Sequence, residues 1–86
     1  MTTAERLLAA GHEGITLLTS PSYDAALVGV TEDGRAVYDY EKMVAALVEA
    51  EGLTEPEAAE WIDYNTIRAL PYMGPEAPLI MYPLPE

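Results

Sequence analysis

Residues 54–70 of the chain read TEPEAAEWIDYNTIRAL. The stretch contains the only tryptophan of the sequence, Trp61, and its clearest helix start. Thr54 and Glu57 match the S/T-x-x-E capping box, in which each side chain accepts a hydrogen bond from the backbone amide of the other residue. Pro56 falls in the first turn, where its missing N–H donor costs nothing. The pattern predicts a helix that begins just after Thr54 and against which the rest of the chain packs.

The second half of this helix has a weaker pattern. Helical spacing places residues 58, 61, 62 and 65 on one face, with Trp61 as the expected anchor in the core. Tyr64, Asn65 and Thr66 are poor helix formers, so the helix is expected to kink or to start again around residues 63–65. Asn65 and Arg68 are the polar residues that we expect to lie against the core.

A second helix is predicted immediately before the first. Asp39 is placed to accept hydrogen bonds from the first turn of a helix over residues 40–51, in which apolar residues recur at helical spacing. Gly52 suits the left-handed residue that ends a helix, and Leu53 can pack back on the last turn. Because no linker separates the two helices, the sequence predicts an αα-hairpin.

Two apolar runs upstream, residues 25–30 and 35–38, flank a short polar loop that ends in Gly34. This arrangement is typical of an antiparallel β-hairpin. Gly29, inside the first run, indicates a bulge or a close approach by another backbone. Residues 79–82, enclosed by prolines, predict a brief third strand that joins the hairpin.

The N-terminal region predicts a short helix over residues 3–10, capped by Thr2 or Thr3 and ended by Gly11. Residues 15–18 are apolar, and either a short strand or core packing is open for them. Together these elements predict an α+β fold in a single domain over residues 1–86: a short N-terminal helix, an antiparallel hairpin, an αα-hairpin and a C-terminal strand completing a three-stranded sheet.

Composition excludes several classes of protein. Half of the 86 residues are hydrophobic, which favours a folded core over disorder, and the absence of Cys removes disulfides and thiolate chemistry. Fifteen acids against four bases give a net charge of −11, which repels nucleic-acid phosphates and anionic membranes and attracts basic surfaces. No secretion signal or membrane span is recognisable, so a cytoplasmic protein is expected.

The acidic residues are concentrated in one part of the chain. Residues 49–63 contain no Lys or Arg. Two interpretations are open: a solvated face that keeps the protein soluble, or a surface that meets a basic partner protein. For the second, the candidate binding residues are Glu49, Glu51, Glu55, Glu57, Glu60 and Asp63.

Other chemistry finds little support. His12 is the only histidine and lies in a Gly-rich turn, where a surface position is the usual role. Ser20 and Ser22 have no recognisable base or oxyanion partner. Neither a calcium-binding loop nor a Gly-rich phosphate loop is present in the sequence. We therefore expect a protein that is not an enzyme, with no catalytic residues, no cofactor and no metal.

The aromatic residues could serve either in the core or at an interface with a partner. Their usual position is in the core or at its boundary, with the hydroxyl reaching a partner or water. The alternative is a role as anchors at an interface, where Tyr and Trp are enriched. The set comprises Tyr38, Tyr40, Trp61, Tyr64, Tyr72 and Tyr82.

Two segments carry a resemblance to known proteins. Residues 36–43 read AVYDYEKM and residues 60–72 read EWIDYNTIRALPY. Both resemble a family of small acidic proteins of unknown function from bacteria, phages and other mobile elements, and the resemblance covers roughly residues 26–82. It implies a genetic context and no catalytic residues. Small acidic proteins of that context are often inhibitors of host defence, anti-CRISPR proteins among them, and some imitate nucleic acid with surface carboxylates.

These observations favour a small acidic inhibitor, of the anti-CRISPR type, that blocks a basic nucleic-acid-binding surface by occupying it. The expected partner is a CRISPR effector or another nucleic-acid-handling complex of the host, and neither nucleic acid nor membrane is expected to bind directly. The alternative is a structural or homo-oligomerisation module, in which the strand at residues 79–82 pairs with a second copy and the charge only maintains solubility.

Overall fold

The computed structural model describes residues 3–18 and 23–85. They form an α+β fold, as predicted. Its regular elements, in chain order, are α1 (Thr3–Ala9), a 3-10 helix (Asp24–Ala26), β1 (Leu27–Val30), β2 (Ala36–Asp39), α2 (Tyr40–Glu51), α3 (Glu55–Trp61), a π-helix (Ile62–Ile67), a second 3-10 helix (Leu70–Met73) and β3 (Leu79–Met81). The proposed N-terminal cap Thr2, and both Ser20 and Ser22, lie outside the described residues.

The three strands form one sheet in the order β1-β2-β3. The β1–β2 pair is antiparallel, and its register changes between Leu27 and Gly29, which confirms the predicted bulge. The first strand begins later than predicted, because residues 24–26 form a 3-10 helix. The third strand, β3, pairs with β2 in parallel. Parallel neighbours need a long crossover connection, and α2 and α3 with the segment that follows them supply it.

The core lies between the sheet and the helices. Its fully buried side chains include Tyr38 at the centre of the sheet, Met43 of α2 and Ile62 of the π-helix. The Tyr38 hydroxyl accepts a hydrogen bond from the backbone amide of Leu18, at 3.1 Å. Residues 15–18 therefore contribute core packing and no strand, which settles the alternative left open by the sequence.

Both long helices begin as the sequence predicts. The Asp39 carboxylate accepts a hydrogen bond from the Lys42 amide at 3.1 Å, and Gly52 ends α2 with φ at 68°. In α3 the capping box is complete: the Thr54 amide donates to Glu57 Oε1 at 2.9 Å, and the Glu57 amide donates to Thr54 Oγ1 at 3.3 Å. The direction of α3 is thereby fixed at its first turn.

The prediction that Trp61 anchors this helix in the core is wrong. Its side chain is 37% exposed, whereas the buried positions of this helix are Ala58, Ile62 and Thr66. Ala58 and Ile62 are buried on the predicted face, and Trp61 lies at its exposed edge. Beyond Ile62 the chain continues as a π-helix, whose wider turn brings Thr66 to the buried side in place of the predicted residue 65. The predicted irregularity around residues 63–65 takes this form.

Asn65 and Arg68 do not lie against the core, contrary to the prediction. Both are exposed. The Asn65 side chain donates a hydrogen bond to the backbone carbonyl of Trp61 at 3.0 Å, one turn earlier. The Arg68 guanidinium lies 4.7 Å from the centre of the Tyr64 ring. Both polar groups are thus accommodated on the surface of the helix, and Thr66 takes the buried polar position.

Candidate functional site

All six acidic residues predicted to bind a partner are exposed. Glu49 and Glu51 lie in the last turn of α2, three further glutamates lie on α3, and Asp63 lies in the π-helix. Within residues 3–18 and 23–85, none of them forms an ion pair with a Lys or Arg of the chain. Their charges are therefore available to an external cation.

Two of these carboxylates are held in place by hydrogen bonds. Glu57 belongs to the capping box, and the hydrogen bonds from the amide and side chain of Thr54 lower the pKa of its carboxyl. Asp63 accepts a hydrogen bond from the Tyr40 hydroxyl at 3.1 Å. Burial raises the pKa of Tyr40, as does the bond to Asp63, so the hydroxyl stays a proton donor at neutral pH. The contact joins the start of α2 to the π-helix.

A groove of about 550 Å³ separates the first halves of α2 and α3. Its apolar lining comes from small and aliphatic side chains, and a carboxylate is contributed by each helix, Glu41 from α2 and Glu55 from α3. The complete set of lining residues is Tyr40, Glu41, Val44, Ala45, Glu55, Pro56 and Ala59.

Glu41 was not among the predicted binding residues, because it precedes the acidic run in the sequence. The missing information is the packing of the two helices, which places residues from the first half of α2 and from α3 around one groove. The signal available in the sequence was the position of Glu41 three and four residues before Val44 and Ala45, which places it beside them on one helix face.

Aromatic side chains are mostly on the surface. Of the six candidates, Tyr38 is in the core, while Tyr64, Tyr72 and Tyr82 are 67%, 90% and 59% exposed. The rings of Tyr40 and Tyr82 pack with their centres 4.8 Å apart, at one end of the groove lining. Of the exposed tyrosines, Tyr64 shares the π-helix with Asp63, and Tyr82 lies next to the groove through its contact with Tyr40. Interfaces are commonly enriched in such residues.

Catalytic and metal-binding alternatives gain no support from the described residues. His12 is half-buried beside Arg6 and Leu7 in a separate shallow groove. No group of three or more His, Asp or Glu side chains is arranged to hold a metal ion among residues 3–18 and 23–85. In the same part of the chain, no helix has the length and apolar character needed to cross a membrane.

Comparison with known proteins finds no family model, no curated protein and no solved structure that matches the chain. The resemblance to small acidic phage and mobile-element proteins therefore stays a prediction.

Proposed function

We propose that the chain is a small inhibitor of the phage or mobile-element type, of the anti-CRISPR class. It binds a basic protein surface and excludes nucleic acid from it. The observation that carries the proposal is the set of six exposed carboxylates on α2, α3 and the π-helix, none of them neutralised by a base of the described chain. The net charge of −11 has the sign of the nucleic acid it would replace.

Complementary charge would act mainly on the rate of association. A negative surface accelerates the encounter with a positive one and disfavours partners of like charge. Retention of the complex would come from desolvated aromatic groups, for which the exposed Tyr64 and the half-exposed Trp61 are available on the same helical segment. Inhibition then requires occupancy alone and no reaction.

The proposal predicts that the chain displaces DNA from a basic host protein. Purified CRISPR effector complexes and a panel of other nucleic-acid-binding host proteins would be loaded with fluorescent DNA, and anisotropy would report its release. Replacing Glu49, Glu51 and Glu60 by Lys is expected to weaken the competition by about tenfold or more, because each reversal turns attraction into repulsion. These three carboxylates are chosen because none takes part in the capping box or the Tyr40 contact.

A matched control changes the same charge elsewhere. Glu13, Glu32 and Glu76 are exposed and lie in loops outside α2 and α3. Their replacement by Lys gives the same net charge and is expected to change the competition by less than about threefold. Equal losses in the two triple variants would show that only net charge matters. Absence of competition across the whole panel would contradict the proposed function.

Self-association is the second candidate, and the position of β3 favours it. This strand lies at the edge of the sheet, and Tyr82 and Leu84 just beyond it are 59% and 89% exposed. An open edge beside apolar groups can pair with a second copy. Sedimentation over a range of concentrations would show a dimer that Leu84→Glu dissociates if this candidate is correct. A monomer throughout would exclude it.

A further inference from the structure

The groove between α2 and α3 has two chemically different parts. Val44 and Ala45 from α2, with Pro56 and Ala59 from α3, provide apolar surface. The carboxylates come from opposite sides, Glu41 on one helix and Glu55 on the other, and both residues are exposed. A volume of about 550 Å³ is within the range of sites that accept a ligand group.

The charge of the groove restricts what it can accept. Neither Glu41 nor Glu55 forms an ion pair with a base within the described ranges. A purely apolar group placed over them would desolvate two carboxylates without compensation, at a cost in free energy. An anion would be repelled. The occupant must therefore combine an apolar body with a positively charged end.

Arginine has this combination. Its aliphatic stem covers apolar surface while its charged end stays near polar groups. Its planar guanidinium has five N–H donors, can pair with a carboxylate through two parallel hydrogen bonds, and stacks on aromatic rings such as that of Tyr40 in the groove lining. Lysine provides a compact charge that is more strongly hydrated and has no planar group to stack on an aromatic ring, so it fits this lining less well.

We propose that the groove binds an arginine side chain from a basic segment of a partner protein, with the stem on the apolar lining and the guanidinium at the acidic edge to which Glu41 and Glu55 contribute. This inference rests on the proposed function, because it assigns the part of the acidic surface that recognises the partner. The groove would thereby give the acidic surface one specific contact with a side chain of the partner.

The test uses a short arginine peptide as the probe. Acetylated and amidated tetraarginine would be titrated into the isotopically labelled full chain, and amide chemical shifts would be followed by NMR. Saturable shifts are expected in residues 40–45 and 55–59. The isosteric tetracitrulline peptide lacks the charge, and its affinity is expected to be lower by at least about tenfold. Tetralysine is expected to bind about threefold more weakly, and equal affinity would overturn the assignment to arginine.

Variants separate the groove from the general acidic surface. Ala45→Leu fills the groove without changing the charge, and because Ala45 is exposed the substitution does not crowd the core. It is expected to weaken tetraarginine binding by about fivefold. Glu41→Gln combined with Glu55→Gln is expected to weaken it by about tenfold. The matched control, Glu49→Gln combined with Glu51→Gln, removes the same charge outside the groove lining and is expected to have an effect of less than about twofold.

The two proposals fail in different experiments. Shifts spread over all acidic residues, or binding that Ala45→Leu leaves unchanged, would overturn the groove inference while leaving DNA displacement intact. Tetraarginine binding in the groove without displacement of DNA from any member of the panel would retain the groove as a site and overturn the inhibitor.

Discussion

Replacing Ile62 by alanine is expected to lower the free energy of unfolding by about 2–5 kcal/mol, the usual cost of truncating a large aliphatic side chain in a core. Ile62 is completely buried at the start of the π-helix and belongs to the same core cluster as Tyr38 and Met43. A domain of 86 residues has a small margin of stability, so the variant should be partly unfolded at moderate temperature. Urea denaturation followed by the fluorescence of Trp61, the next residue, would measure the loss.

Tyr64 provides the matched control for this measurement. It lies two residues later in the same π-helix, but its side chain is 67% exposed and contacts Arg68. Tyr64→Ala is expected to cost less than about 1 kcal/mol, since an exposed cation–π contact contributes little. Equal losses in the two variants would contradict the burial of Ile62 and the exposure of Tyr64.

A second large loss of unfolding free energy is expected when the buried pair formed by Tyr23 and Thr66 is disrupted. Their hydroxyl oxygens lie 2.9 Å apart, and the two residues are only 4% and 7% exposed. Thr66→Val keeps the shape of the side chain but leaves the Tyr23 hydroxyl without this partner, which is expected to cost about 1–3 kcal/mol. Burial raises the pKa of Tyr23, so the hydroxyl stays neutral and needs a hydrogen-bond partner at neutral pH.

A double-mutant cycle would isolate the interaction between the two residues. Tyr23→Phe removes the other hydroxyl, and the double variant has no orphaned polar group at this position. Its loss of unfolding free energy is expected to be smaller than the sum of the two single losses, measured by urea denaturation. Strict additivity would mean that the two hydroxyls do not interact in solution.

Local signals in the sequence predicted the starts of α2 and α3 and the end of α2. The capping box at Thr54, the Asp39 cap and the Gly52 stop depend on neighbouring residues only, and all three occur as expected. The bulge at Gly29 was recognisable for the same reason. Such features are encoded within a few residues, so they do not require knowledge of the tertiary structure.

The errors concern properties that depend on distant parts of the chain. Trp61 is a large aromatic residue on the predicted face, but its side chain is exposed, and the π-helix that follows it buries Thr66 where residue 65 was expected. Helical periodicity at 3.6 residues per turn cannot anticipate a segment with a wider turn. The buried role of Tyr23, which binds a residue far along the sequence, likewise has no local signal.

The candidate site was predicted in part. Exposure of the six acids agrees with the sequence, because a run of charges without bases rarely enters a core. The groove could not be predicted, since it depends on how α2 and α3 pack and on which residues of each helix line the space between them. The packing of the two helices decides which carboxylates lie beside which apolar side chains, and the sequence of one helix does not contain this information.

The parallel pairing of β2 with β3 has a consequence for the synthesis of the protein. One edge of β2 is occupied only by residues 79–81, which are translated after both long helices. While these residues are still inside the ribosome, the emerging chain has an open strand edge and the wall of its core is incomplete. A nascent chain whose residues 79–81 have not yet emerged should therefore remain protease-sensitive, and it should become resistant once these residues can pair with β2.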